Sequence, residues 1–532
     1  MRLQPTLAAV LLTAFAATSS AQTEPTGDYA VGFRSEWHVD HGRTYRTTGR
    51  LEGLYGASKA PRPILINVWY PARRDSGRAM THGDYFTIES KDSSLSKLAA
   101  ALRQYAWDIA ATELLGVEAA KLTEADRAVV AREFRRPVIA RRDAAAAQGR
   151  FPLVIYHAGA GSSFEDNAWF CEYLASHGFV VAGSAFLDQD GDTLNVDHVE
   201  GSTGDIRYLI TAARSWPNVD AARIGLAGHS LGAQAAIFFE ASGSSAVDAI
   251  ISLDTTYDIH SLKTRWWSSR EQAEKHPARV RAALMVVAPP TAIFELADTF
   301  VNSERYYLTV GGLGHNDFIV QGVATAEFRS RSTEIREDLR VKPEDAALIA
   351  KRYGQVVRDA TSFLAGVLRK DHAALVRLRG RGLTTSDGEP AIEYLAAGET
   401  RTAPYEAGVP TPRQLRRYFD DQGIEATVEL LRRFWQPASD RPIYEGLFAA
   451  IWLNDLHAKG RSTDARQLFK GYSELGGSIV GRVRGQLVGW ADVLFKRLNR
   501  PDDARPWLET ARLLFPDDQE VQARLEALPP KG

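Results

Sequence analysis

The sequence predicts an α/β domain built on a largely parallel sheet, followed by a separate all-helical domain. Three observations carry this. Short apolar runs alternate with helical segments from about residue 63 to residue 368, which is the pattern of βα units. Those runs do not alternate in polarity, as expected of strands buried on both faces. After a stretch crowded with Gly and Pro, the pattern from residue 413 to 532 is helical throughout.

The elements follow in order. Residues 1–21 stand apart from the fold: Arg2 supplies a positive end, residues 7–17 are apolar, and Ser19, Ser20 and Ala21 are small. That is the pattern of a cleavable secretory signal, with an apolar run too short to span a bilayer comfortably. The mature chain is therefore expected to be exported, to a periplasm or the medium, with no transmembrane segment. Residues 22–60 read as polar and irregular, with short strand-like pieces such as residues 30–34. Residues 63–71 form a strand closed by Pro71, and 95–135 are helix-like through Leu98, Leu102, Ile109, Leu114 and Leu115. Strands are predicted at 153–156, 179–182, 223–227, 249–253, 282–288 and 306–310. Helices are predicted at 169–177, 205–216, 231–241 and 354–368.

Residues 379–412 contain Gly380, Gly382, Gly388, Pro390, Gly398, Pro404, Gly408, Pro410 and Pro412 and read as a linker. The catalytic unit is thus expected at 22–378, with cap insertions at about 81–140 and 257–280. In the tail, Ala504, Leu508, Ala511 and Pro516 match the second-helix spacing of a tetratricopeptide repeat. Ala465, Phe469 and Tyr472 match the same offsets without the proline, and an unrelated helical bundle is the other reading of the tail. Such a tail offers a surface for a protein partner.

Composition excludes several classes. Basic and acidic side chains number 64 and 66, and no basic stripe interleaves with aromatics, so nucleic acid is not an expected partner. Cys171 is the single cysteine. An exported chain with one Cys has no internal disulfide, so core burial must stabilise it. Cys171 itself lies in an apolar helical pattern and reads as a core residue.

The chemistry lies in Gly228-His229-Ser230-Leu231-Gly232. The string alone is short enough to arise by chance. Its setting between a buried strand and an alanine-rich helix makes it a nucleophile turn, which lifts the Ser230 hydroxyl to the C-terminal edge of the sheet. A serine needs a base, and the expected order is Ser, acid, His. His315 follows the strand at 306–310 and the flexible 311–314 loop, so it can reach the same edge; His260 is the reserve. Asp254 ends the strand at 249–253 and is the candidate acid, with Glu295 and Asp298 as alternatives. Oxyanion donors are expected from the backbone N–H of Leu231 and from the glycine-bearing loop at 157–163. Gly159 is the choice there, with Ala160 one residue away. Trp266 and Trp267, in the second insertion, are candidates to line a substrate pocket. No metal or other cofactor is required; His38, Asp40 and His41 lie close in sequence but in a segment that reads as exposed.

From about residue 28 to 370 the chain resembles the platelet-activating-factor acetylhydrolase and dienelactone-hydrolase-like branch of the α/β-hydrolases. The resemblance rests on NVWYPA at 67–72, FPLVIYH at 151–157, LASHGFVV at 174–181, GHSLG at 228–232, SLD at 252–254 and GHNDF at 314–318. It implies Asp254 as the acid, because the acetylhydrolase acid follows the strand after the nucleophile helix. It implies Gly159 as oxyanion donor, two residues after His157, although Ala158 stands where the family usually has glycine. The implied activity is hydrolysis of a small-molecule or lipid-like ester through an acyl-enzyme. A peptidase or amidase would use the same triad, and a binding module with an inactive hydrolase domain is the reading from another class.

Overall fold

The computed structural model describes residues 24–45, 53–56, 60–187, 197–244, 247–255, 268–290, 292, 294–380, 390–400, 410, 412–434, 446–476, 478–497 and 501–530. The leader read at residues 1–21 lies outside them.

Strands β1 (Ala30–Tyr45) and β2 (Ala60–Ala72) pair antiparallel, and β3 (Arg78–Thr81) leads into helices α1 (Ser96–Leu115) and α2 (Glu124–Glu133). Next come β4 (Pro137–Arg142), β5 (Phe151–His157), α3 (Ala168–Ser176), β6 (Val180–Ser184), α4 (Asp197–Ala213), β7 (Val219–His229) and α5 (Leu231–Ala241). They are followed by β8 (Ala249–Leu253), α6 (Ser268–Lys275), β9 (Ala283–Ala288), α7 (Glu295–Thr299), β10 (Arg305–Thr309) and α8 (Val320–Arg331). Helices α9 (Pro343–Leu368) and α10 (His372–Arg379) precede β11 (Ala391–Leu395). The tail holds α11 (Pro412–Phe434), broken at Gly423 (φ 81°), then α12 (Gly446–Ala458), α13 (Ser462–Glu474), α14 (Ile479–Asp492), α15 (Pro501–Leu514) and α16 (Gln519–Glu526).

The strands form one sheet in the order β11-β10-β9-β8-β7-β5-β6-β2-β1-β4-β3. From β6 to β10 all neighbours are parallel, while β2 runs antiparallel to β6. This order, with the turn carrying Ser230 following β7, is that of the α/β-hydrolase fold. β6 lies on one side of β5 and β7 on the other, so the connections diverge at the C-terminal ends of β5 and β7, where open α/β sheets bind ligands.

Burial explains the unbroken apolar runs. Every residue of β5, β8 and β9 is buried. Successive side chains of a strand point to opposite faces: Val154 joins a core with Leu174, Val357 and Phe363, and Ile155 joins another with Leu209, Ile237 and Phe239. Both faces must therefore be apolar. The tail has its own core, which includes Phe419, Trp452, Leu468, Leu487 and Trp507. Ala465, Tyr472, Ala504, Leu508 and Ala511 are all buried on α13 and α15.

Four segments differ from the sequence expectation. Residues 30–34 are only the start of β1, which runs on to Tyr45 against β2 and also pairs with β4. The helix-like stretch at 95–135 is two helices: α1 ends at Gly116 (φ 66°), and a reciprocal Thr123–Asp126 capping box starts α2. The end of the 81–140 insertion is not cap, because β4 begins at Pro137 and extends the sheet. β11, in turn, lies within the stretch read as linker, and pairs antiparallel with β10.

Candidate active site

Ser230 stands between β7 and α5 with φ 52° and ψ −113°. A side chain other than glycine at positive φ costs on the order of 1–3 kcal/mol and persists only where its surroundings over-determine it. Here they do. The Ser230 N–H donates to the Leu253 carbonyl at 3.0 Å, pinning the turn to the end of β8. A Cβ at Gly228 would lie 2.2 Å from the carbonyl carbon of Gly232, and one at Gly232 would lie 2.0 Å from the His157 carbonyl oxygen. Strand, helix and the neighbouring β5 meet too closely for any side chain at either position.

Asp254 directly follows β8, also at positive φ (42°), with its N–H donating to the Val287 carbonyl at 2.7 Å. It is buried, and its Oδ2 accepts a hydrogen bond from His315 Nδ1 at 2.7 Å. The alternatives are engaged elsewhere: Glu295 faces Arg416 at 3.3 Å, and Asp298 accepts from the Tyr307 hydroxyl at 2.8 Å. His315 opens a short turn after Gly314, held by the Gly314 N–H donating to Asp317 Oδ2 at 2.8 Å. Its side chain is half exposed. It packs on the turn carrying Ser230, since the rings of His229 and His315 are 4.6 Å apart and His229 Nε2 donates to the His315 carbonyl at 3.0 Å.

The loop after β5 closes against the same turn. A Cβ at Gly159 would lie 3.4 Å from the Ser230 Cβ and 2.9 Å from His229 Nδ1, so glycine is what allows this approach. Beneath the loop, buried Asp166 accepts from the Tyr156 hydroxyl at 2.7 Å and from Ser162 Oγ at 2.8 Å. Burial pushes its carboxyl up to about 6, against the lowering effect of those hydroxyls and of the Gly159 and Asn167 amides. Gly159 and Ala160 are successive residues of this loop beside the turn. The Leu231 N–H opens α5 and has no partner within the helix, as for any first-turn amide.

A cavity of about 270 Å³ adjoins the turn, bounded by Gly159, Ala160, Leu231 and Phe186 on one side and by Leu102 and Tyr105 of α1 on the other. Helix α1 is its roof. The C-terminal end of α1 is tied to the base-bearing segment: Asn316 Nδ2 donates to Glu113 Oε2 at 3.2 Å, and Arg329 donates to the carbonyls of Glu113 at 2.6 Å and Leu114 at 3.2 Å. The first insertion thus faces the site through α1.

Trp266, Trp267 and the reserve base His260 lie outside the described residues, and the described part of the second insertion is α6. Asp40 is paired with Arg43 at 2.6 Å on β1. Cys171 is buried, and burial pushes its thiol well above the usual range. Sequence reading quoted His229 only as part of the turn motif and gave Asp166 and Tyr105 no role. Their spacing carries no signal, because each acts through a neighbour brought in by the fold.

No protein-family model matches the chain, and no curated protein matches it. Among solved structures it is similar to a ferulic acid esterase from Streptomyces cinnamoneus, at 17% identity, over 70% of this chain and 98% of that one, with a TM-score of 0.45. No helix among the described residues is long and apolar enough to cross a membrane. By its own strand order and by the turn at the end of β7, the chain is an α/β-hydrolase fold with an added all-helical C-terminal domain.

Proposed function

We propose that this chain is an exported serine hydrolase that cleaves small or short-acyl carboxylic esters through an acyl-enzyme. The observation that carries the reading is the 2.7 Å hydrogen bond between Asp254 and His315, made beside a serine held at positive φ. Ser230 Oγ attacks the ester carbonyl carbon as His315 Nε2 takes the hydroxyl proton. Asp254 keeps the other nitrogen protonated and stabilises the imidazolium. The tetrahedral oxyanion receives the Leu231 amide and an amide of the 159–160 segment. His315 returns the proton to the leaving alkoxide; water then attacks the acyl-enzyme by the same route and frees the acid.

The cavity under α1 supports a compact substrate, because its volume is below the roughly 300–1,000 Å³ of sites for drug-sized ligands. The quoted motifs favour the acetylhydrolase and dienelactone-hydrolase-like branch within the fold. The leader-like residues 1–21 support export, and the helical tail, with its repeat-like spacing, supports a docking role for a protein partner. A fluorophosphonate probe tests the mechanism: labelling is expected in the wild type and lost in Ser230→Ala. A panel of p-nitrophenyl esters tests the substrate class, with acetyl and butyryl esters expected to be preferred. Absence of labelling on folded wild type, or preference for long acyl chains, would overturn the respective part.

A further inference from the structure

His229 is buried immediately before the proposed nucleophile, and it lies against the His315 segment and the loop after β5. Its backbone belongs to the turn that strains Ser230. Its Nε2 lies 3.0 Å from the carbonyl oxygen of His315. Its other edge faces the loop after β5, with Nδ1 2.9 Å from where a Cβ at Gly159 would stand. A carbonyl oxygen only accepts, so Nε2 must carry the proton. Burial, reinforced by the neighbouring His315, pushes the imidazole pKa down to about 3. The ring is thus neutral near pH 7, with a bare Nδ1. That Nδ1 is buried without a hydrogen-bond partner among the described residues. An unsatisfied buried acceptor costs free energy, and a residue serving only to fill space would not need one.

We propose that His229 is a positioning residue for acyl transfer: it clamps the backbone of His315 to the nucleophile turn and so sets the separation between the base and Ser230. The inference rests on the serine-hydrolase reading above, but it can fail alone. Asp254 orients the imidazole of His315 from below, while nothing in that contact fixes the backbone from which the imidazole hangs. The His229 hydrogen bond supplies this second constraint, and it comes from the residue adjacent to the nucleophile.

The test compares His229→Phe, which keeps a ring but removes the donor, with His229→Gln, whose amide can place an N–H near the position of Nε2. In His229→Phe, kcat is expected to fall by about tenfold to hundredfold with KM within about threefold, because a misplaced base costs rate rather than binding. Fluorophosphonate labelling should slow by the same factor. His229→Gln should recover kcat to within about threefold of wild type. Wild-type kcat in both variants, equal losses in both, or an effect on KM alone would overturn the inference while leaving an active, labelled wild type as a serine hydrolase. An inert, unlabelled wild type would overturn both. Should the variants not fold, 15N-histidine NMR of the wild type decides: the Nε2–H tautomer is expected for His229, and the Nδ1–H tautomer overturns the clamp.

Discussion

Asp254 Oδ2 accepts the Nδ1 proton of His315 at 2.7 Å across 61 residues of chain. This pair joins the end of β8 to the segment after β10, and it fixes which imidazole nitrogen is free to face Ser230. Replacing the carboxylate by an amide removes that control. Asp254→Asn is expected to lower kcat by about 10³–10⁴-fold with little change in KM. Glu295→Gln, at an acid engaged by Arg416 rather than by His315, should leave kcat near wild type. Steady-state kinetics on p-nitrophenyl acetate distinguishes the two acids.

The glycines of the turn should be intolerant for a steric reason. In Gly232→Ala the new methyl would meet the His157 carbonyl at 2.0 Å. Backbone cannot yield as a flexible side chain would, so the loop after β5 must shift. A destabilisation of about 1–3 kcal/mol is expected from overpacking, together with loss of most esterase activity. Urea melts alongside kinetics would show both, and wild-type values in each would refute the account.

Helix α1 should set substrate length. Leu102 is buried at the cavity wall, and Leu102→Trp would fill part of that space. Acetyl ester hydrolysis should persist, while kcat/KM for butyryl and longer esters falls by at least about tenfold, as expected when a pocket contact becomes a clash. An unchanged chain-length profile would remove α1 from the specificity account.

The buried acids Glu165, Asp166 and Glu172 should contribute less to stability as pH rises towards neutrality, against the opposite contribution of the buried imidazoles His82, His157 and His229. Burial pushes the Glu165 and Glu172 carboxyls up to about 7 and Asp166 up to about 6. Their folded-state values lie above the unfolded ones, so the folded state binds more protons in between. The stabilising contribution is complete below about pH 4 and is lost as pH rises through 6 to 7. Glu172 is the clearest case, with Oε1 accepting from the Tyr85 hydroxyl at 2.5 Å and from the Ala140 N–H at 3.3 Å. Glu172→Gln cannot ionise and should flatten the fall between pH 5 and pH 8 by on the order of 1–3 kcal/mol. Denaturant melts across that range measure the slope, and an unaltered slope would contradict the assignment.

Much of the fold was legible because its central strands obey one simple constraint. Residues 153–156 are apolar without a break, and 249–253 are broken only by the buried Ser252, because helices cover both faces. The same regularity exposed the turn carrying Ser230, the strand end carrying Asp254 and the loop after β10 carrying His315. What stayed hidden depends on partners distant in sequence. The second half of β1 is mostly half-buried or exposed and pairs with β2 through a register shift between Asp40 and Thr44, so its composition resembles a loop. β11 is a five-residue strand between glycine- and proline-rich stretches, and only its pairing with β10 makes it part of the sheet. The role of α1 as a roof depends on Arg329 and Asn316, over two hundred residues further on. The hydrogen bond from His229 to a backbone carbonyl leaves no mark in a pattern of residue types.

β11 changes where this protein can be divided. It covers the outer side of β10 in antiparallel register from Arg305 against Leu395 to Thr309 against Ala391, with its own Ile392 buried. A chain severed at residue 380, where the sequence looks loosest, would lose this selvage. The row of N–H and C=O groups along β10 would then be bare, and bare strand edges recruit other chains. Severed after residue 400 instead, the α/β domain keeps its own hem and should remain monodisperse when freed of the helical tail.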